Sequence, residues 1–256
     1  VNDEGSSRVE KAFSIGKWMV TYQLWCEVYN WAAQAGYKFK NGGVAGRGGD
    51  EATGNYPNGS PKPAPVPEEK KFFPVTNISW YDAIVWLNAY SICQGYNALY
   101  VYQDTDGNTE IIRDATAKIE GSNILKCEKA VARDMEGFRL PKELEWRCAA
   151  RWQGVQDKGN SKGVKQKDGS TYFFTKGDSA SGATSNSKED ATKVAWFSDD
   201  GNYETHAVGL KQANNLGVFD MSGLMEEWLF EGDGAKKRYL LGGNVDKEDV
   251  SDIAVG

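Results

Sequence analysis

Three stretches of the chain space their apolar residues for helices, and one pair of stretches spaces them for a hairpin. From Val20 to Tyr37, VTYQLWCEVYNWAAQAGY, the residues Leu24, Val28, Trp31, Ala32 and Ala35 recur every three or four positions. This predicts an amphipathic helix, with Thr21 placed to cap its first turn and Gly36 to end it. Ser79 caps a second predicted helix, Trp80 to Gly95, whose stripe is Ala83, Ile84, Leu87, Tyr90 and Ser91. A third, Phe138 to Trp152, carries Pro141 in its first turn, where a missing backbone donor costs little. Between the second and third, LYVYQ and TEIIRD flank Asp106-Gly107, a pair that tolerates positive φ, so a β-hairpin is expected.

The polar stretches between these elements read as loops. Asn41 to Pro67, with GGVAGRGG and PKPAPVP, is too rich in glycine and proline for regular structure. Its glycines do not form a phosphate cradle, because no strand leads in and no helix leads out. Gln153 to Lys193 reads as loops around one short strand, TYFF. Asp104, Asp106 and Asn108 imitate the start of a calcium loop. The glycine comes too early, however, and Ala115 stands where a bidentate Glu is needed, so the hairpin reading is preferred. The segment the chain is organised around is Asn214 to Gly243. There Leu216, Val218, Phe219 and Met221 precede a turn at Ser222-Gly223, Trp228 is expected as a buried anchor, and Tyr239 to Leu241 read as a strand ended by Gly242 and Gly243.

Composition narrows the class. The chain has 256 residues, 40% of them hydrophobic and 12% aromatic, enough for a full core, and one domain over 1–256 is expected. A net charge of -6 and a pI near 5.1 exclude a nucleic-acid backbone as partner. No apolar run reaches the ~20 residues that cross a bilayer. The polar start VNDEGSSRVEK has no apolar signal core, so an export signal is expected to be removed or never present. Cys26, Cys93, Cys127 and Cys148 show no C-x-x-C spacing, which disfavours structural zinc. The lone His206 cannot build a facial triad, which takes two histidines. Asp199-Asp200 and Glu226-Glu227 are adjacent in sequence and, on a strand, point to opposite faces, so neither pair is a natural acid–nucleophile dyad.

The stretch Asn214, Gly217, Val218, Phe219, Asp220, Met221, Gly223, Glu227 and Trp228, followed by Gly242 and Gly243, resembles the C-terminal core of the formylglycine-generating enzyme (sulfatase-modifying factor) family. That family reads N-x-x-G-L-Y-D-M-x-G-N-V-W-E-W and then R-G-G-S-W. FSIGKWMVTYQLW, PVTNISWYDAIVWLNAYS, FRLPKELEWRCAAR and HAVGL are similar to its other signatures, in the same order. The resemblance implies an α+β fold of C-type-lectin-like type, with mixed short strands, a few helices and long loops. The family's oxidases bind copper through paired cysteines near the C-terminus, yet no cysteine follows Cys148 here. Leu224 replaces an asparagine through which some members hold calcium. Neither catalytic residues, nor metal ligands, nor a cofactor are therefore expected.

A kept framework with a replaced active-site end resembles the variable proteins of diversity-generating retroelements, and the wording from Ile84 to Leu99 and from Tyr100 to Thr116 is similar to a treponemal member. The resemblance implies a non-enzymatic, receptor-like binder whose variable region spans about 214–256. Its ligand-facing candidates are Leu224, Glu226, Phe230, Glu231, Asp233, Leu241, Asn244, Asp246, Lys247 and Glu248. Its partner would be a protein or other surface ligand, its state a monomer, and its place the cell surface or exterior, with a lipid anchor on a removed N-terminal segment as one route. The alternatives are an enzyme of the same family using Asp199, Asp200, His206 and Glu226, or an inactive relative whose terminal loops drifted.

Overall fold

A computed structural model describes residues 9, 11–47, 62–197, 203–233 and 237–256. They fall into two compact units. One, the helix-pair unit, comprises Val20–Leu140 with Phe230–Tyr239. The other, the terminal unit, comprises Val1–Met19, Pro141–Leu229 and Leu240–Gly256.

In the helix-pair unit, α1 (Tyr22–Gln34) begins where Thr21 Oγ1 accepts the Leu24 N–H, and the chain leaves it through Gly36 at φ 81°. Its buried stripe is Tyr22, Trp25, Cys26, Val28, Tyr29 and Ala32. The expected stripe through Leu24, Trp31 and Ala35 is thus corrected by a rotation of the helix. The cause is aromatic packing: Trp25 stacks on Trp86 of α2 (Trp80–Cys93) at 5.4 Å and 6°, which turns the larger rings inward. A short pair, β1 (Val44–Ala45) and β2 (Val75–Thr76), lies antiparallel. Then β3 (Tyr100–Gln103) pairs with β4 (Thr109–Ile111) on one side and β5 (Ala130–Ala132) on the other.

Two buried polar side chains in α2 fix this arrangement. Ser79 Oγ accepts the Asp82 N–H, and Asp82 Oδ2 accepts the Ser79 N–H (3.0 Å), a capping box. The same carboxylate takes the Lys40 N–H (2.7 Å), the Asn41 N–H (3.2 Å) and the Asn41 amide (2.7 Å), so one residue starts a helix and ties down a loop. Fully buried Asn88 donates to the carbonyls of Tyr100 (2.8 Å) and Ile112 (2.9 Å) and accepts the Tyr100 N–H (2.8 Å), joining helix to sheet. In the β3–β4 turn the Asp104 carboxylate is consumed by the Asp106 and Asn108 N–H groups, which is why the calcium-like spacing makes a turn.

In the terminal unit, α3 (Glu143–Arg151) starts five residues later than expected. The Phe138 and Leu140 N–H groups bond to Ser91 Oγ and the Tyr100 hydroxyl instead of entering a helix. Lys142 offers no capping side chain, and the Glu145 carboxylate takes its N–H (2.9 Å) in compensation. The region read as loops around one strand holds more. There β6 (Trp152–Gly154), β7 (Ser161–Lys165) and β8 (Thr171–Thr175) form an antiparallel sheet in the order β6-β8-β7, and α4 (Lys188–Val194) follows, capped by Ser187. The edge strand β7, SKGVK, buries no side chain completely and so leaves no apolar alternation to read. Finally β9 (Glu227–Trp228) pairs antiparallel with β10 (Leu240–Leu241). The core of this unit gathers Trp146, Ala149, Ala150, Val218, Met221, Leu229 and Val255, with a second cluster around Phe197 and Ile253.

Candidate functional site

The irregular run from Asn214 is fixed by side chains bonding to backbone. Asn214 Nδ2 donates to the Ala149 carbonyl (2.9 Å) and Ser181 Oγ (3.1 Å), while its Oδ1 accepts the Leu216 (2.9 Å) and Val218 (3.2 Å) N–H groups. Ser222 Oγ accepts the Ser181 N–H (3.0 Å) and donates to the Ile253 carbonyl (2.7 Å). Satisfying the backbone in this way lets a segment without helix or strand stay buried. Gly223, at φ 69°, is required, since a Cβ there would lie 2.2 Å from the Trp196 carbonyl oxygen.

Beneath β9 lie two carboxyl groups. Glu227 Oε1 accepts the Trp146 indole N–H (3.1 Å), and loss of hydration pushes its carboxyl up to about 7; the indole bond opposes this and the charge of Asp220 adds to it. Asp220, at φ 59°, is also raised by burial. Its Oδ2 accepts the Gly209 N–H (2.7 Å), and its Oδ1 has no partner among the described residues. Both groups point into the framework.

The ten ligand-facing candidates separate by exposure. In the terminal unit Glu226, Asp246 and Glu248 are exposed and Lys247 is half-buried. Asn244 is half-buried, and its Oδ1 accepts the Asp246 N–H (2.9 Å), so it shapes the turn that presents Asp246. Leu241 packs against the Trp146 cluster. Leu224 is a correction: it is completely buried at φ 59°, its N–H donating to the Trp196 carbonyl (2.8 Å), so it belongs to the core and presents nothing to a ligand. Trp228, expected as a buried anchor, is only partly buried; its neighbour Leu229, just past β9, is the fully enclosed side chain and joins the Trp146 cluster.

The remaining three candidates lie in the helix-pair unit. Phe230 stacks on Tyr100 (5.4 Å, 26°) and leans on Trp80 (5.9 Å, 33°), so it anchors the segment 230–239. Glu231 is half-buried and its carbonyl accepts the Tyr239 N–H (3.2 Å), while Asp233 is exposed. Arg238, not among the ligand-facing candidates, is held there too, its guanidinium 3.8 Å above the Trp80 ring. Asn214 and Arg238 carried no readable signal for these roles, since a buried amide or a stacked guanidinium depends on neighbours far away in sequence.

His206 stacks on Trp196 at 3.7 Å and 24°, and burial lowers its pKa. Asp199 and Asp200 lie outside the described residues. Among the described residues no group of three or more His, Cys, Asp or Glu is gathered as for a metal ion, and no helix is long and apolar enough to cross a membrane.

Short antiparallel sheets, a few helices and long loops fixed by buried polar side chains define a C-type-lectin-like fold of the formylglycine-generating enzyme type. The chain belongs to the sulfatase-modifying factor enzyme 1-like domain family, whose model matches residues 4–253. Treponema denticola variable protein 1 is similar in structure, with a TM-score of 0.59 and 25% identity over 93% of this chain and 74% of that one. CarF is similar with a TM-score of 0.63 and 28% identity over 93% of this chain and 77% of its own. In sequence, the chaperone protein LppX of Paenibacillus barcinonensis is 30% identical over 161 residues, 62% of this chain and 51% of that protein. The chain thus spans about half the length of this curated relative.

Proposed function

We propose that the chain is a non-enzymatic, receptor-like binding protein that displays a retroelement-diversified site on a C-type-lectin-like scaffold at the cell surface or outside the cell. The observation that carries this reading is the division of labour within 214–256. Framework side chains (Asn214, Asp220, Ser222, Leu224, Leu229) are buried and bonded or packed, while Glu226, Asp233, Asp246 and Glu248 stand exposed. Positions free to change without unfolding the protein are what a diversified surface needs. Similarity to a Treponema variable protein over 93% of the chain supports the same reading. As part of the proposal the two units belong to one domain, since a single family model runs through both.

The displayed side chains are acidic, and between Leu224 and Asp252 eight acids stand against four bases. Acidic side chains of this kind favour a cationic protein partner and speed its approach at low salt. The test is to sequence the gene and its surroundings in several isolates. The expected result is a near-copy of the last part of the gene, differing from it at adenines, beside a reverse-transcriptase gene, with substitutions clustered at the exposed positions and absent from Asn214, Ser222 and Leu224. A gene with no such copy, or with changes spread evenly over framework and surface, overturns the reading.

A further inference from the structure

We propose that Trp80, Tyr81, Phe230 and Glu128 form a binding site for a cation of the guanidinium or alkylated ammonium class, and that the chain's own Arg238 is a displaceable occupant of it. The Arg238 guanidinium carbon lies 3.8 Å from the Trp80 ring centroid. Tyr81 meets Trp80 edge-on at 5.8 Å and 83°, and Phe230 leans on it at 5.9 Å. The Tyr81 hydroxyl donates to Glu128 Oε1 (3.3 Å), and the negative charge of Glu128 favours a cation at Arg238. Indole is the strongest of the aromatic faces for a cation, and the attraction grows as water is excluded.

Arg238 fits this site poorly. A guanidinium presents five N–H donors in a rigid fork. Among the described residues its Nη1 reaches the Phe230 carbonyl at 3.3 Å, while Nε is buried with no partner. Burial lowers its pKa, so the docked charge is under-compensated. An alkylated ammonium carries fewer N–H donors, or none, that burial could leave unpaired, and it suits the same ring face better. With Arg238 in place Trp80 is 3% exposed, so an added cation must take the guanidinium's place on the ring.

The site gives the cationic partner of the proposed function a point of capture, and to that extent it rests on that reading. Phe230 and Arg238 both meet Trp80, and exposed Asp233 adds a negative charge nearby in sequence.

The experiment titrates tetramethylammonium and arginine amide, at constant ionic strength, into the wild-type chain and into Arg238→Gln, with tryptophan fluorescence as readout. Arg238→Gln is expected to bind tetramethylammonium at least tenfold more tightly than wild type, and adding Trp80→Phe should remove most of that gain. The neutral isostere 3,3-dimethylbutanol should gain less than threefold. A folded Arg238→Gln that binds the cation no better than wild type, or that binds the neutral isostere equally well, overturns the proposal. Should Arg238→Gln fail to fold, Arg238→Lys carries the same test with an expected gain of about threefold, and no gain there is equally fatal. The gene comparison above uses no binding measurement, so failure of the cage and failure of the diversified-surface reading are distinguishable.

Discussion

Glu227 sets the pH response expected at the scale of single residues. Its carboxyl, raised to about 7 in the folded chain from an ordinary value near 4.5, holds its proton more tightly folded than unfolded. The folded state is therefore favoured below about pH 4.5 and loses that advantage as pH rises through about 7, by up to about 3 kcal/mol in all. Asp220, raised by burial as well, acts in the same direction. Urea denaturation at pH 5 and pH 8 should show the fall, and Glu227→Gln should flatten it; a wild type equally stable at both values would mean the carboxyl is well hydrated. Residue burial likewise revises what truncations cost. Leu229→Ala should cost about 2–5 kcal/mol, since the side chain is fully enclosed, and Trp146→Ala about 3–5. Trp228→Ala should cost less than either, because its side chain is partly exposed to solvent in the folded chain. Chemical denaturation of the three variants gives the order, and a Trp228→Ala loss equal to that of Trp146→Ala would contradict it.

At the scale of elements, α2 depends on Asp82. Truncation to alanine removes the capping box and leaves the Lys40 and Asn41 N–H groups without their acceptor, so Asp82→Ala should cost about 3 kcal/mol and Ser79→Ala about 1. Hydrogen exchange should show the loss concentrated in the first turn of α2 and at Lys40 and Asn41. The displayed positions should behave in the opposite way. The triple variant Glu226→Ala, Asp233→Ala, Glu248→Ala changes exposed side chains and should shift stability by no more than about 0.5 kcal/mol per site. A larger loss by thermal or urea unfolding would place these carboxylates in the framework. The first two helices were legible because each combines a cap, apolar residues at helical spacing and a glycine stop within one window of sequence, although their buried faces were not: α1 is rotated and α2 is buried on most sides. The sheet of β6, β7 and β8 was not, because its polar strands draw their order from one another.

For the whole molecule, the proposed non-enzymatic function turns on the chemistry of the family's oxidases. Copper chemistry of the family's oxidases needs soft thiolates near the C-terminus, and none of the residues after Cys148 is cysteine. Incubated with copper and a cysteine-containing sulfatase peptide, the chain should leave the peptide unchanged in mass, and a formylglycine product would refute the non-enzymatic reading. The sequence by itself determined the family, the α+β class and the first two helices, because signatures such as NNLGVFDMSG, FRLPKELEWRCAAR and the cap at Ser79 act through neighbours a few residues apart. It also indicated that most carboxylates between Leu224 and Asp252 are exposed, since they are costly to bury, although Glu227 is an exception. Only the tertiary structure decided which candidates face outward. Leu224 is turned into the core by a positive φ and the Trp196 carbonyl, Phe230 is held by Tyr100, and Arg238 is drawn over Trp80. Each of these outcomes is set by a partner between 28 and 158 positions away along the chain, a distance over which no local pattern carries information.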